Sequence, residues 1–173
     1  MPLILDGNGD ITGLVAGALP SNVIGAGGIL QVVSNTYSTT TSTTSTSPVD
    51  TGLSVSITPT SASSKILVLT TAFYQSYPTS GNARDTGGNF LLVRASTNIW
   101  NSSDVNAYID GGTGATLAFN IVNLWNLSYL DSPATTSATT YKVRFNSISG
   151  RTMFINGGGS VAPSTITLME IAA

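Results

Sequence analysis

The chain has 173 residues, no cysteine and no histidine, and a net charge of −2. Disulfides and thiolate metal sites are therefore excluded, as are the commonest general acid-base residue and the commonest metal ligand. Only 8% of residues are charged, against about 25% in an average soluble domain.

The length suits one domain with a short arm. Basic residues are scattered singly, which leaves no electrostatic footprint for nucleic acid or an anionic membrane surface. No apolar run approaches the roughly 20 residues that cross a bilayer. The opening Met1 to Asp6 has no basic segment, so no signal peptide is expected. A surface of Ser, Thr, Asn and Gly with so little charge protects weakly against association. Part of it is expected to be buried against sister chains or a larger assembly.

Residues 1–28 differ from the rest. Asp6-Gly7-Asn8-Gly9-Asp10 is a turn signal, and Gly13, Gly17, Gly25, Gly27 and Gly28 follow, separated by single apolar residues. Such a segment has little to make its own core. It reads as an extended arm that lies on another surface, with Leu3, Ile4, Leu5, Ile11, Leu14 and Val15 as the attachment residues.

From Ile29 the pattern is β, and residues 29–173 form the expected folded body. Ile29 to Val33 reads as a short strand. Ser38 to Ser47 is ten consecutive Ser and Thr, a polar edge strand or an exposed loop. Leu53, Val55 and Ile57 alternate with Ser54, Ser56 and Thr58, the signature of a half-buried strand. Pro59 to Ser64 is a turn. Lys65 to Gln75 is apolar at almost every position and predicts a central strand covered on both faces. Phe90 to Ala95 follows a Gly87-Gly88-Asn89 turn.

Thr116 to Leu130 is rich in aromatic and β-branched residues and predicts one strand, or two joined by a bulge. Tyr141, Val143 and Phe145 alternate with polar residues, and Ser149-Gly150 then predicts a hairpin into Thr152 to Ile155. Asn156 to Ser160 is a glycine-rich loop, and Thr165 to Ile171 a last strand. About eight to ten strands with closely spaced turns predict an all-β, antiparallel β-sandwich or jelly roll carrying an extended N-terminal arm.

Chemical motifs are sparse. Asp6, Asn8 and Asp10 open like a calcium loop, but Ile11 and Gly17 stand where its Gly and Glu belong. Gly25, Gly27 and Gly28 lack the third glycine of a dinucleotide fingerprint. Asp85, Asp104 and Asp110 are the acids available to a polysaccharide-degrading enzyme, yet each sits beside turn-forming residues. No catalytic residue, metal or cofactor is expected. The loop from Tyr74 to Gly88 carries Tyr74, Tyr77, Arg84 and Asp85, and rings with polar tips serve recognition of carbohydrate or protein.

Four stretches carry a resemblance: Asp6 to Leu14 continuing to Pro20; Gly52 to Pro59 with Ser64 to Val68; Tyr129 to Pro133 with Thr139 to Val143; and Ser164 to Ile171. In these the chain resembles small fibre, decoration and fibre-tip proteins of tailed bacteriophages, particularly those of cyanophages and other aquatic phages. The resemblance implies an N-terminal anchor, a C-terminal jelly-roll-like domain, a homotrimer, and neither catalytic residues nor cofactor. The leading expectation is a virion structural protein, a capsid decoration or head-fibre appendage, with itself and a phage capsid or other virion protein as partners. The alternative is a tail-fibre adhesin whose loops touch a host surface glycan or outer-membrane protein.

Overall fold

The computed structural model describes residues 4–5, 11–12, 26–77, 87–102, 121–148, 151–157 and 162–173, with the backbone alone at 4, 5, 11, 12 and 77. Among the described residues there are twelve strands: β1 (Ile4–Leu5), β2 (Ile11–Thr12), β3 (Ile29–Tyr37), β4 (Thr41–Thr43), β5 (Val49–Ile57), β6 (Lys65–Tyr77), β7 (Gly88–Arg94), β8 (Thr97–Asn101), β9 (Ile121–Asp131), β10 (Thr139–Ser147), β11 (Thr152–Ile155) and β12 (Ser164–Ile171). No helix forms among the described residues. Every pairing between strands is antiparallel. The molecule is an antiparallel β-sandwich.

The smaller sheet has the order β5-β10-β7-β8. The larger is best seen as four rows. β9 is one edge, β6 lies beside it, β12 and β11 together form the third row, and β3 and β4 the fourth. β1 and β2 form a separate two-stranded ladder that brackets the Asp6 to Asp10 stretch. Pairing of the body starts just before β3, where Gly27 donates its N–H to the Ala172 carbonyl at 2.8 Å and Ala172 donates to Gly28 at 2.8 Å.

Alternation along the strands builds the core, because successive side chains point to opposite faces. Ile66, Val68, Ala72 and Tyr74 of β6 face inward with Ile166 and Leu168 of β12 and Met153 and Ile155 of β11. They meet Leu53, Ile57, Phe90, Leu92, Tyr141, Val143 and Phe145 of the smaller sheet. Phe90 is central: it stacks on Trp125 at 4.8 Å, meets Tyr74 edge-on at 5.3 Å, and lies 6.5 Å from Phe145. Each such aromatic pair adds about 0.5–1.5 kcal/mol beyond its buried area.

Two details differ from the sequence reading, and β9 takes the first of its two alternatives. The expected hairpin between Tyr141–Phe145 and Thr152–Ile155 does not form. β10 pairs with β5 and β7, whereas β11 crosses to the larger sheet and pairs with β4 and β6. The crossing extends the row begun by β12 and buries Met153 and Ile155. β9 is a single strand whose register with β6 runs unbroken over its described length, so it needs no bulge. β8 was not foreseen; Trp100 of β8 packs against Trp125 at 5.6 Å.

The third and fourth rows are both broken at the level of Phe73, and Asn156 closes the gap. Its side-chain amide donates to the carbonyls of Tyr37 (2.8 Å) and Thr39 (3.2 Å), and its Oδ1 accepts from Ser164 Oγ at 2.7 Å. Its backbone N–H donates to Phe73 O at 2.9 Å, and its carbonyl accepts from Thr40 Oγ1 at 2.7 Å. Ser164 Oγ also accepts from the Phe73 N–H at 3.0 Å. Asn156 is 0% exposed and has φ 55°, a left-handed conformation that Asn tolerates better than most residues.

At the other end of β12, the carboxylate of Glu170 is buried and accepts from Gln31 Nε2 (2.6 Å), Thr60 N (2.7 Å) and Thr60 Oγ1 (2.8 Å). Burial raises its pKa, but the hydrogen bonds from Gln31 and Thr60 outweigh that and hold it below the ordinary glutamate value.

Two predictions follow from these polar groups. Asn156→Ala removes the partner of the part-buried Tyr37 carbonyl, the more exposed Thr39 carbonyl and the buried Ser164 hydroxyl, at about 1–3 kcal/mol for each buried group left unsatisfied. Urea denaturation should show a loss of about 3 kcal/mol with an unchanged slope. Glu170 has a lowered folded pKa, so its stabilising contribution is complete above the unfolded value of about 4.3 and is lost as pH falls through the folded value. Glu170→Gln should cost about 1–3 kcal/mol at pH 7. Thermal midpoints of the two proteins should converge as the pH is lowered below the unfolded value.

Candidate functional site

The two outer faces of the sandwich differ in charge and in exposed apolar surface. On the smaller sheet, Asp50 of β5 pairs with Lys142 Nζ at 2.8 Å and Arg144 Nε at 2.9 Å, both on β10. Thr140 and Ser56 share a hydroxyl hydrogen bond of 2.7 Å on the same face. These pairs are partly solvent-exposed and contribute little to stability; they make the β5–β10 part of that face charged, while Leu91 and Val93 of β7, which share the face, are buried.

The outer face of the larger sheet is largely neutral and apolar. Directly paired residues of antiparallel strands share a face, and the register fixes which residues these are. Leu130, Leu67, Met169 and Val32 stand side by side, one from each of β9, β6, β12 and β3, in an unbroken apolar row. Beside it lie Lys65, Ile171 and Ile29. Towards the other end, Phe73 pairs with Leu124, and Gln75 stands between Val122 and Phe154. The strongly exposed large apolar residues among those described are Ile29, Val32, Val122, Leu124 and Leu130, and all five lie on this face. Lys65 is the only charged residue on its paired rows.

Between the apolar bands the face dips. A shallow depression of about 320 Å³ is lined by Leu69, Thr71, Asn126, Ser128, Thr165 and Thr167 together with Thr70 and Leu127. Thr71 donates its hydroxyl to Asn126 Oδ1 at 2.7 Å. The face therefore offers apolar contact at both ends and hydrogen-bonding groups across its middle.

β6 was expected to be covered on both sides. Its inward residues are buried, whereas Leu67, Leu69, Thr71 and Phe73 on the outer side are only half-buried. The continuous apolar run is explained by a second face that is apolar without being covered by the rest of the described chain.

One inter-sheet contact pins the edge of this face. Arg94 of β7 places Nη1 2.9 Å and 2.8 Å from the two carboxylate oxygens of Asp131, the last residue of β9. Tyr141 of β10 donates its hydroxyl to Asp131 Oδ2 at 2.6 Å. Burial, reinforced by that carboxylate, pushes the Tyr141 phenol well above its ordinary pKa, so it remains a donor. Residues 94, 131 and 141 are far apart in sequence, and Asp131 before Ser132-Pro133 reads as a turn former.

The residues singled out from sequence fall as follows. Tyr74 is a correction: it is 1% exposed, packs against Phe90 in the core, and does not face outward as a receptor-binding ring. The strand simply continues past it to Tyr77, whose backbone pairs with Thr152. Arg84 and Asp85 lie outside the described residues, as do Asp104, Asp110, Leu3, Leu14 and Val15. Ile4, Leu5 and Ile11 have their backbones in the β1–β2 ladder. The outer face of the larger sheet was not named from sequence. Its signal was there in the apolar odd-numbered positions of Leu67, Leu69 and Phe73, interleaved with the core residues.

No protein-family model matches the chain, and no curated protein matches it. Among solved structures, it is similar to particles derived from infectious bursal virus, with 14% identity and a TM-score of 0.34, over 83% of this chain. It is also similar to the VP2 subviral particle of infectious bursal disease virus, with 14% identity and a TM-score of 0.33, again over 83% of this chain. The chain spans 36% and 37% of those two chains.

The inter-sheet contact gives a prediction. Asp131→Asn removes the charge that Arg94 needs, and breaking a buried pair from one side costs about 3–5 kcal/mol. With Arg94 partly exposed the expected loss is nearer to about 2–3 kcal/mol. Amide hydrogen exchange should accelerate in β9 more than in β12.

Proposed function

We propose that this chain is a non-enzymatic structural protein of a virus particle, a capsid decoration or head-fibre appendage that assembles as a homotrimer and is held through its N-terminal segment. One observation carries the reading: the charged pairs lie on the outer side of one sheet, while the outer face of the other is neutral and holds all the strongly exposed large apolar residues among those described. Water solvates the charged pairs of the first. The second is suited to contact with protein. The resemblance to tailed-phage fibre and decoration proteins points the same way, as does a chain with 8% charged residues.

The anchoring part rests on composition. Glycines in residues 1–25 add backbone entropy that ordering must overcome, on top of about 1–2 kcal/mol per residue. Leu3, Ile4, Leu5, Ile11, Leu14 and Val15 gain roughly 1.5–3 kcal/mol each if fully buried on a partner. Body pairing begins at Gly27, so residues 1–25 can be removed without cutting a described hydrogen bond of the sandwich.

The test is loading onto virions. Protein lacking residues 1–25 should retain its β circular dichroism and oligomeric state but be missing from purified particles. Loading at normal copy number would refute the anchor. Antibody labelling of the head supports a decoration or head fibre, whereas labelling confined to the tail tip would replace that reading with the adhesin.

A further inference from the structure

We propose that copies of this chain contact one another through the outer face of the larger sheet, along the row Leu130, Leu67, Met169 and Val32. The inference rests on the reading of the chain as a self-assembling protein and names the surface that does it.

The first argument is area. Four rows about 4.8 Å apart, crossed by a 13-residue β6 rising about 3.3 Å per residue, give a face of roughly 800 Å². A standard protein interface takes about 800 Å² from each partner. A closed ring divides the face between two neighbours, so each contact takes roughly 400 Å² from either partner and the ring is held by all its contacts together.

The second argument is charge. A surface that meets its own copy must not repel itself. Lys65, at the border beside Ile171, is the only charge on the paired rows, so two copies bring no array of like charges together. The smaller sheet's outer face meets this condition less well, because Lys142 and Arg144 share one Asp50, and two copies would bring their surplus positive charge together and take these groups out of water.

The third argument is the distribution of exposure within the row. Its ends, Leu130 and Val32, are 50% and 52% exposed, while Leu67 and Met169 between them are half-buried. The ends lie on opposite edges of the sheet. In a closed ring the Leu130 end of one copy meets the Val32 end of the next, and the interface is heterologous. The depression at Thr71, Asn126 and Ser128 then supplies the hydrogen-bonding groups that accompany an apolar contact.

Light scattering and cross-linking on the full chain test this. Leu130→Asp and Val32→Asp, each at an exposed position, should fold with wild-type circular dichroism and have the mass of a single chain. Val32→Lys combined with Leu130→Asp should restore the oligomer through an ion pair between copies. The absence of cysteine allows an independent readout that needs no disruptive change. Ser128→Cys on this face should cross-link between copies with a short bis-maleimide at least tenfold faster than Thr140→Cys on the opposite face.

An oligomer that survives both aspartate variants, with equal cross-linking from the two faces, overturns this surface and leaves self-assembly standing. A wild-type chain that stays monomeric at about 100 μM, far above a micromolar dissociation constant, overturns both. A monomer whose Ser128→Cys thiol is shielded from maleimide also overturns the proposal, and assigns the face to the chain's own N-terminal segment.

Discussion

Two neighbouring rows of the larger sheet break at the same level, and the backbone groups freed by both breaks converge on Asn156. A buried carbonyl or amide without a partner costs about as much as a lost hydrogen bond. The carbonyls of Tyr37 and Thr39, at the end of β3, find that partner in the Asn156 amide. Phe73 finds it in Asn156 and Ser164. β6 can then remain a straight strand of 13 residues, paired along both edges. The outer face described above is continuous along β6 because that strand is not interrupted there.

The sandwich is held chiefly by apolar burial, with few ionic contacts placed where they set geometry. Phe90 joins the sheets through Trp125 and Tyr74. Arg94 and Tyr141 reach across to the end of β9, and Glu170 ties β12 to Gln31 and Thr60. Gly52 shows how tightly the edge is packed. It has φ 94°, at the irregularity where β5 shifts register against β10, and a Cβ there would sit 2.4 Å from the Tyr37 ring. Tyr37 can lie over the backbone only because that side chain is missing.

Much of the fold was legible from periodicity. Leu53, Val55 and Ile57 alternate with polar residues because one side of β5 faces the core, and Tyr141, Val143 and Phe145 do the same on β10. The strand order was not legible, because alternation says which side is buried and not which strand lies alongside. The hairpin expected between β10 and β11 failed for that reason: nearness in sequence was taken for pairing. β8 was missed because only Ile99 and Trp100 in it are apolar. Tyr74 was misplaced because Gln75, Ser76 and Tyr77 look like the start of a loop, although β6 carries buried polar residues to its end. The apolar outer face of the larger sheet was half legible. The unbroken apolar run of β6 signalled two apolar sides, but sequence does not say whether the second is covered by the same chain or by another.

The meeting of Asn156 and Ser164 has a consequence for how this chain tolerates change. Ser164 Oγ lies 2.7 Å from Asn156 Oδ1, so the chain leaves the third row after β11 and returns at nearly the same point. The closure of the excursion is set by the two residues at its base, not by the residues along it. Lengthening a closed loop is cheap, about 0.6 kcal/mol for each doubling. Foreign peptides inserted between Gly157 and Pro163 would leave the β11–β12 row in place, which makes this the natural graft point for adding a sequence to the protein.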